Sequence, residues 1–166
     1  MLETSMGLRP GPHSDSADTH RIFCMSFPAS ALSVRTALRA ALARFMRLME
    51  PDEAGTLELI LAEVLNNIVE HSYADSGVGT ITLSMVRDSQ GLSCSVSDDG
   101  VPLPMTCLTK TEDNSARPSP ESLPEGGFGW FLIRDLATDL GYSRDQDRNL
   151  LAFRLPLAPT LDRNAG

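Results

Sequence analysis

Hydrophobic and polar positions follow two different rhythms along this chain, and the changes of rhythm divide it into elements. From His20 to Phe27 the alternation is loose, with Ile22, Cys24 and Ser26 against Phe23, Met25 and Phe27, which predicts a strand. Ser30 is a candidate N-cap. Behind it Leu32, Val34, Leu38, Leu42, Phe45 and Met46 recur near helical spacing as far as Leu48. Pro51 and Asp52 open a second helix. Its residues Leu57, Leu61, Val64, Leu65 and Ile68 form one apolar stripe that runs to about Ser72. Thr80 to Arg87 sets Ile81, Leu83 and Met85 against Thr80, Thr82 and Ser84, a half-buried strand. Asp88-Ser89-Gln90-Gly91 turns the chain, and Leu92 to Ser97 returns with Leu92, Cys94 and Val96 on one face. Phe128 to Leu140 reads as a third helix with Gly141 as its C-cap. Residues 142–146 and Leu150 to Leu155 read as a closing hairpin around Asp147-Arg148-Asn149.

The order is strand, two helices, hairpin, loop, helix, hairpin. Strands and helices do not alternate strictly, so the expected class is α+β: helices on one face of a mixed, mostly antiparallel sheet. The domain is expected over residues 20–156. The polar stretch 1–19 is expected to be a disordered tail and 157–166 a C-terminal one. Residues 101–125 differ in character, with Pro102, Pro104, Pro118, Pro120 and Pro124 among many Ser and Thr. So long a loop inside a compact domain is usually a lid, a binding loop or a disordered insertion.

Composition narrows the picture. A chain of 166 residues, 42% hydrophobic and 5% aromatic, suits one domain with an aliphatic core. The net charge of -8, without any Lys/Arg block, argues against a nucleic-acid surface. No apolar run approaches the ~20 residues of a membrane helix, and the N-terminus lacks a secretory pattern. Cys24, Cys94 and Cys107 are irregularly spaced and form neither a CxxC pair nor a disulfide framework, so a cytoplasmic location is expected.

Three segments carry candidate chemistry. Glu63, Asn67 and His71 stand four apart, which places them along one helix face in steps of ~6 Å. An amide oxygen from Asn67 suits Mg²⁺, and Glu63 is placed to take a proton from water or a hydroxyl. The plainer reading is a solvated face. Against it stands the Asn66-Asn67 pair, which is unfavourable inside a helix. Asp98-Asp99-Gly100 follows a strand, where a carboxylate can accept from an exocyclic amine and a glycine lets backbone approach a ring. An ordinary acidic turn would look the same. Gly126-Gly127-Phe128-Gly129 precedes a helix, where free N–H groups leave room for phosphate, or where a joint is simply flexible. Trp130 and Phe131 suit the core, and His71 suits either a packed helix end or a catalytic role.

Other chemistries are excluded. The only lysine, Lys110, is not in a glycine context, so there is no P-loop. Paired Cys or His ligands for zinc are missing. The glycines come too late for a Rossmann turn.

Taken in order, Glu63-x-x-x-Asn67, Asp98-x-Gly100 and Gly127-x-Gly129 resemble the N, G1 and G2 boxes of GHKL ATPases. Within that superfamily the string Glu63 to Tyr73 and the run Glu125-Gly126-Gly127-Phe128-Gly129 are most similar to bacterial anti-sigma-factor serine kinases. The resemblance implies a Bergerat-type two-layer α/β sandwich binding ATP or ADP with Mg²⁺. It implies Asn67 on the metal, Asp98 on the adenine amine and Gly100 against the base. Gly127, Phe128 and Gly129 would lie beside the phosphates, residues 101–125 would be the ATP lid, and Glu63 the general base. It further implies a STAS-domain antagonist as the phosphorylated partner, a sigma factor as a second partner, and a homodimer. Asn66, often Thr in that group, either leaves Asn67 undisturbed or competes for the metal. Lys110 and Arg117 are the charged candidates for the γ-phosphate, which no motif places. Two further readings stand beside this one: a nucleotide-dependent binding module with little kinase activity, and a stand-alone histidine-kinase catalytic domain.

Overall fold

A computed structural model describes residues 21–104 and 127–158. The predicted tail 1–19, most of the predicted lid, Cys107, Lys110 and Arg117 lie outside the described residues.

The chain runs β1 (Ile22–Pro28), α1 (Ala31–Phe45), a 3-10 turn (Met46–Leu48), α2 (Pro51–Ser72), β2 (Thr80–Asp88), β3 (Gly91–Asp98), α3 (Gly127–Leu136), β4 (Thr138–Asp145) and β5 (Arg148–Leu155). The fold is α+β. Five strands form one sheet in the order β1-β2-β3-β5-β4, and every pairing is antiparallel.

Local chemistry sets the helix ends. The Ser30 hydroxyl accepts from the Ser33 N–H at 3.2 Å and starts α1. A capping box between Glu50 and Glu53, with Pro51 at the first helical position, starts α2. The α2 stripe Leu57, Leu61, Val64, Leu65 and Ile68 is fully buried. On α1 the buried line is Val34, Ala37, Ala41 and Phe45, whereas Leu32 and Met46 face solvent. Leu32 stands two residues before Val34, ~200° around the helix, and so falls on the side away from the buried line.

The sheet's inner face is layered by register. Met25, Leu83, Val96 and Leu151 pair across neighbouring strands as one apolar row, with Tyr142 at its end. The next row, at the sheet's end, is Phe27, Ile81, Asp98, Asn149 and Arg144. Alternation thus carries an aspartate, an asparagine and an arginine onto the face that elsewhere buries hydrophobes.

The segment after α3 differs from expectation. Helix α3 stops at Leu136, and residues from Thr138 form β4 instead of further helix turns. Gly141 lies in that strand and is not a C-cap. Leu136 and Leu140 mimic an i, i+4 pair. From Leu140 onward, however, the half-buried positions are Leu140 and Tyr142, a period of two that pairs with β5. A register shift between Thr138 and Gly141, with Asp139 at φ 53°, absorbs the change of direction. The hairpin turn falls at Gln146-Asp147, both at positive φ, so Arg148 and Asn149 belong to β5.

Beyond β5 the chain stays attached. Leu157 is buried, the Ala158 N–H donates to Glu53 Oε1 at 2.6 Å, and Arg87 donates to the Ala158 carbonyl at 2.9 Å.

Candidate functional site

Helix α2 brings Glu63, Asn67 and His71 to one side, but their environments differ. Asn67 is buried at 4% exposure, between the buried Leu65 and Ile68. Its Nδ2 has no hydrogen-bond partner among the described residues. A buried amide N–H without an acceptor carries a desolvation cost of about 1–3 kcal/mol, which a water or a ligand oxygen at Nδ2 would remove. Glu63 is half-buried and makes no hydrogen bond or ion pair among the described residues. His71 is half-buried as well. Asn66 is exposed, so it points away from its neighbour Asn67 and does not compete with it.

Gly129 links the second helix to the third. A Cβ at Gly129 would lie 2.1 Å from Glu63 Oε2 and 3.2 Å from Asn67 Nδ2. The opening turn of α3 therefore rests directly on the acid and the amide, and a side chain at position 129 would push the Glu63 carboxylate aside. Gly127 is the first residue of α3, and Phe128 follows it. Trp130 is buried in the core, as its size and context suggested.

At the sheet's end, Asp98 is 1% exposed. Its Oδ1 accepts from the Gly100 N–H at 2.9 Å and from Asn149 Nδ2 at 2.9 Å, while Oδ2 receives no hydrogen bond among the described residues. Burial pushes the Asp98 carboxyl above its ordinary range; the Asn149 and Gly100 donors and Arg144 pull the other way, and Asp99 adds to the rise. Gly100 is in close contact with the end of α2, since a Cβ there would meet the Ser72 carbonyl at 2.4 Å. The Val101 N–H donates to that same carbonyl at 2.9 Å.

Asp99 plays a different part from Asp98. Its Oδ1 accepts from the Tyr73 hydroxyl at 2.5 Å and from the Thr80 N–H at 3.0 Å, and its own N–H donates to the Tyr73 oxygen at 3.0 Å. The Tyr73 and Thr80 donors hold its carboxyl below the usual range. Burial and the Asp99 carboxylate push the Tyr73 phenol up, so it stays a neutral donor. This clamp ties the end of α2 to the ends of β2 and β3. Gly79 fits beneath the Tyr73 ring, where a side chain would collide with it.

Sequence reasoning placed Asn149 in a turn and missed it, along with Tyr142 and Arg144. Asn149 Oδ1 accepts from Tyr142 Oη at 2.7 Å and from Arg144 Nη1 at 2.6 Å. Its Nδ2 also donates to the Val101 carbonyl at 2.9 Å. The signal was present: Asn149 is in phase with Leu151, Phe153 and Leu155, so it is a polar residue at an inward position.

The residues present suit a nucleotide with a divalent cation. Among the described residues no group of three or more His, Cys, Asp or Glu is placed to hold a metal. A cation beside Asn67 would therefore take its remaining ligands from phosphate and water, the habit of Mg²⁺. Among the described residues the Asn67 amide unpartnered at Nδ2, the glycine contact at Glu63 and the unbonded Asp98 Oδ2 provide one polar feature for each part of such a ligand. No helix among the described residues is long and apolar enough to cross a membrane.

Comparison with known proteins agrees with this geometry. The histidine kinase-like ATPase domain family matches residues 27–155. The serine-protein kinase RsbW of Bacillus mycoides is 30% identical over 101 residues, 60% of this chain and 62% of that protein. The anti-sigma F factor of Bacillus licheniformis is 24% identical over 119 residues, covering 70% of this chain and 80% of its own length. The blue-light-activated histidine kinase 2 of Erythrobacter litoralis is 30% identical over 91 residues, 54% of this chain but 22% of that kinase. The chain spans about six-tenths of the length of the RsbW kinases it matches.

Proposed function

This chain belongs to the family of histidine kinase-like ATPase domains, and from that premise we propose that it is an ATP-dependent serine-protein kinase of a partner-switching system. It phosphorylates a STAS-type antagonist and acts as an anti-sigma factor. The observation that carries the reading is the contact of Gly129 with Glu63 and Asn67, which joins the glycine turn to the helix bearing an acid and an unpartnered amide.

Each residue then has a task. Asp98 accepts through Oδ2 from the exocyclic amine of adenine. Gly100, which has no Cβ, lets the backbone after Asp98 pack against Ser72 at the end of α2 and so holds that segment beside the base. Asn67 turns its carboxamide oxygen to the cation, and the backbone at Gly127 and Gly129 offers N–H groups to phosphate oxygens. When bound, Mg²⁺ neutralises charge on the β- and γ-phosphate oxygens. Glu63 takes the proton from the partner serine hydroxyl. The serine Oγ–P bond forms as the bond from the γ-phosphorus to the bridging oxygen breaks, and ADP leaves. A half-buried carboxylate without a cationic partner among the described residues suits such a base. The similarity to kinases named RsbW and to an anti-sigma F factor supports serine as acceptor and a sigma factor as second partner.

The test has two stages. ADP with Mg²⁺ is expected to raise the melting temperature of the wild type and to do so far less for Asn67→Ala and Asp98→Ala. Labelled ATP with a candidate STAS partner is then expected to label serine, and Glu63→Ala to abolish the label. Nucleotide binding without serine labelling would leave a nucleotide-dependent binding module in place of a kinase. Acid-labile phosphohistidine on a partner would assign the chain to histidine-kinase chemistry.

A further inference from the structure

Two buried asparagines among the described residues differ in their hydrogen bonding. Among those residues Asn67 finds no partner at Nδ2, whereas Asn149, at 1% exposure, is bonded at both ends. The orientation of Asn149 is fixed by chemistry. A guanidinium can only donate, so Arg144 Nη1 at 2.6 Å requires Oδ1 on its side. The Tyr142 hydroxyl, itself accepting from the Leu103 N–H at 3.2 Å, donates to the same oxygen. The amide nitrogen is thereby turned to Asp98 Oδ1, with the Val101 and Gly100 carbonyls at 2.9 and 3.3 Å taking its remaining capacity. Arg144 also reaches the Gly100 carbonyl at 2.9 Å. The whole segment from Asp98 to Leu103 is thus held by three side chains from β4 and β5.

A carboxyl group at the base position can be read in two ways. Ionised, it accepts from an exocyclic amine; protonated, it donates to a ring carbonyl. The donor supplied by Asn149 opposes protonation. We propose that Asn149, locked by Tyr142 and Arg144, is a specificity-determining positioning residue. It holds Asp98 as an acceptor and so selects a base with an exocyclic amine over one with a carbonyl at that place. The proposal rests on the nucleotide-binding reading above and deepens it.

The other groups around Asp98 do not replace this function. Asp99, next in the chain, is a like charge, but it is engaged by Tyr73 and Thr80. Tyr73, from the end of α2, is neutral and directed at Asp99. Arg148, at the start of β5, is turned to Ser97 Oγ at 3.0 Å. Among the described residues Arg144 is the cation that bears on Asp98, and it reaches it through the Asn149 amide.

The experiment compares ADP with inosine diphosphate, which carries a carbonyl where adenine carries its amine, by calorimetry with Mg²⁺ from pH 5.5 to 8.5. Wild type is expected to prefer ADP at least ~10-fold, with a nearly constant ratio across neutral pH. Asn149→Leu is expected to cut that preference to about 3-fold or less and to weaken ADP binding as pH falls, while inosine diphosphate gains. Tyr142→Phe and Arg144→Met, which leave Asn149 in place but unlock it, are expected to move in the same direction by less. They carry the test if Asn149→Leu fails to fold. Asp98→Asn in parallel separates the two readings. If wild type binds neither nucleotide, the nucleotide-binding reading fails and this proposal with it; if it binds them but Asp98→Asn changes nothing, the placement of the base at Asp98 fails and this proposal with it. If wild type prefers ADP through Asp98, yet the Asn149, Tyr142 and Arg144 variants keep its ratio and pH course, this proposal alone is overturned. An equal loss of both nucleotides at an unchanged ratio also overturns it, because that is the signature of a structural role.

Discussion

Adding one methyl group at Gly129 should separate folding from phosphoryl transfer. The Cβ of Gly129→Ala would lie 2.1 Å from Glu63 Oε2, while its next neighbours, Glu63 Cδ and Asn67 Nδ2, are at 3.1 and 3.2 Å. The severe overlap is thus with the tip of one flexible, half-buried side chain and not with backbone. That carboxylate must retreat by roughly 1.3 Å to reach ordinary contact distance. The fold loses little, and replacing glycine in the first turn of α3 returns up to ~1 kcal/mol of helix propensity, or about 2–4 °C in melting temperature. A general base displaced by about 1 Å, however, costs on the order of 10²-fold in rate. The assay pairs a thermal melt of the free protein with the rate of label transfer from ATP to the partner serine, and Glu63→Gln serves as the reference for complete loss of the base. The expected result is a melting temperature equal to wild type or slightly higher, with transfer reduced about 10²-fold. Transfer at the wild-type rate in a folded Gly129→Ala protein would refute the assignment of Glu63. A melting temperature lowered by 10 °C or more would refute the claim that the carboxylate can give way.

Gly100→Ala should behave in the opposite manner. Its Cβ would meet the Ser72 carbonyl at 2.4 Å and Ser72 Cβ at 2.5 Å, and neither can swing aside, so a loss of about 1–3 kcal/mol is expected in denaturant titration. Asn67→Ala removes a buried amide that has no partner at Nδ2, so the free protein should melt within a few degrees of wild type while the Mg²⁺-dependent part of nucleotide stabilisation disappears. The Tyr73 hydrogen bond, followed by that from the Thr80 N–H, depresses the Asp99 carboxyl in the folded protein. The unfolded chain therefore binds more protons in that window, and the contribution of Asp99, complete above pH ~4, is lost as pH falls through the lower folded value. Tyr73→Phe should flatten that part of an acid titration followed by circular dichroism, and an unchanged acid limb would remove Tyr73 as the cause.

Much of this architecture was legible because burial writes a period into the sequence. The α2 stripe and the β2–β3 hairpin were readable from spacing alone, since each buries one continuous face. The course after Leu136 was not, because Leu136 and Leu140 satisfy a helical spacing by coincidence. What decides that segment is pairing with β5, a contact between chain neighbours that no local pattern contains. Within the candidate site, Glu63, Asn67, Asp98 and the glycines were visible as residue types with unusual spacing. The network of Asn149, Tyr142 and Arg144 was hidden by a turn placed two residues too late. Gln146 and Asp147 hold the turn at positive φ without a glycine, so the usual marker of a tight hairpin was missing. Once Asn149 is assigned to β5, its inward phase among hydrophobes identifies it.

Helix α2 supports both parts of the candidate site on one rigid rod. Ser72 and Tyr73 support the wall beside Gly100 and Asp99, and Glu63 and Asn67 support the turn at Gly129. The nine steps from Glu63 to Ser72 span ~13.5 Å along the axis, a fixed ruler laid along the site. Adding a single residue between them would lengthen it by only ~1.5 Å but would rotate one end against the other by ~100°. The spacing and the angle of the two walls are therefore inherited together, and neither can be retuned alone.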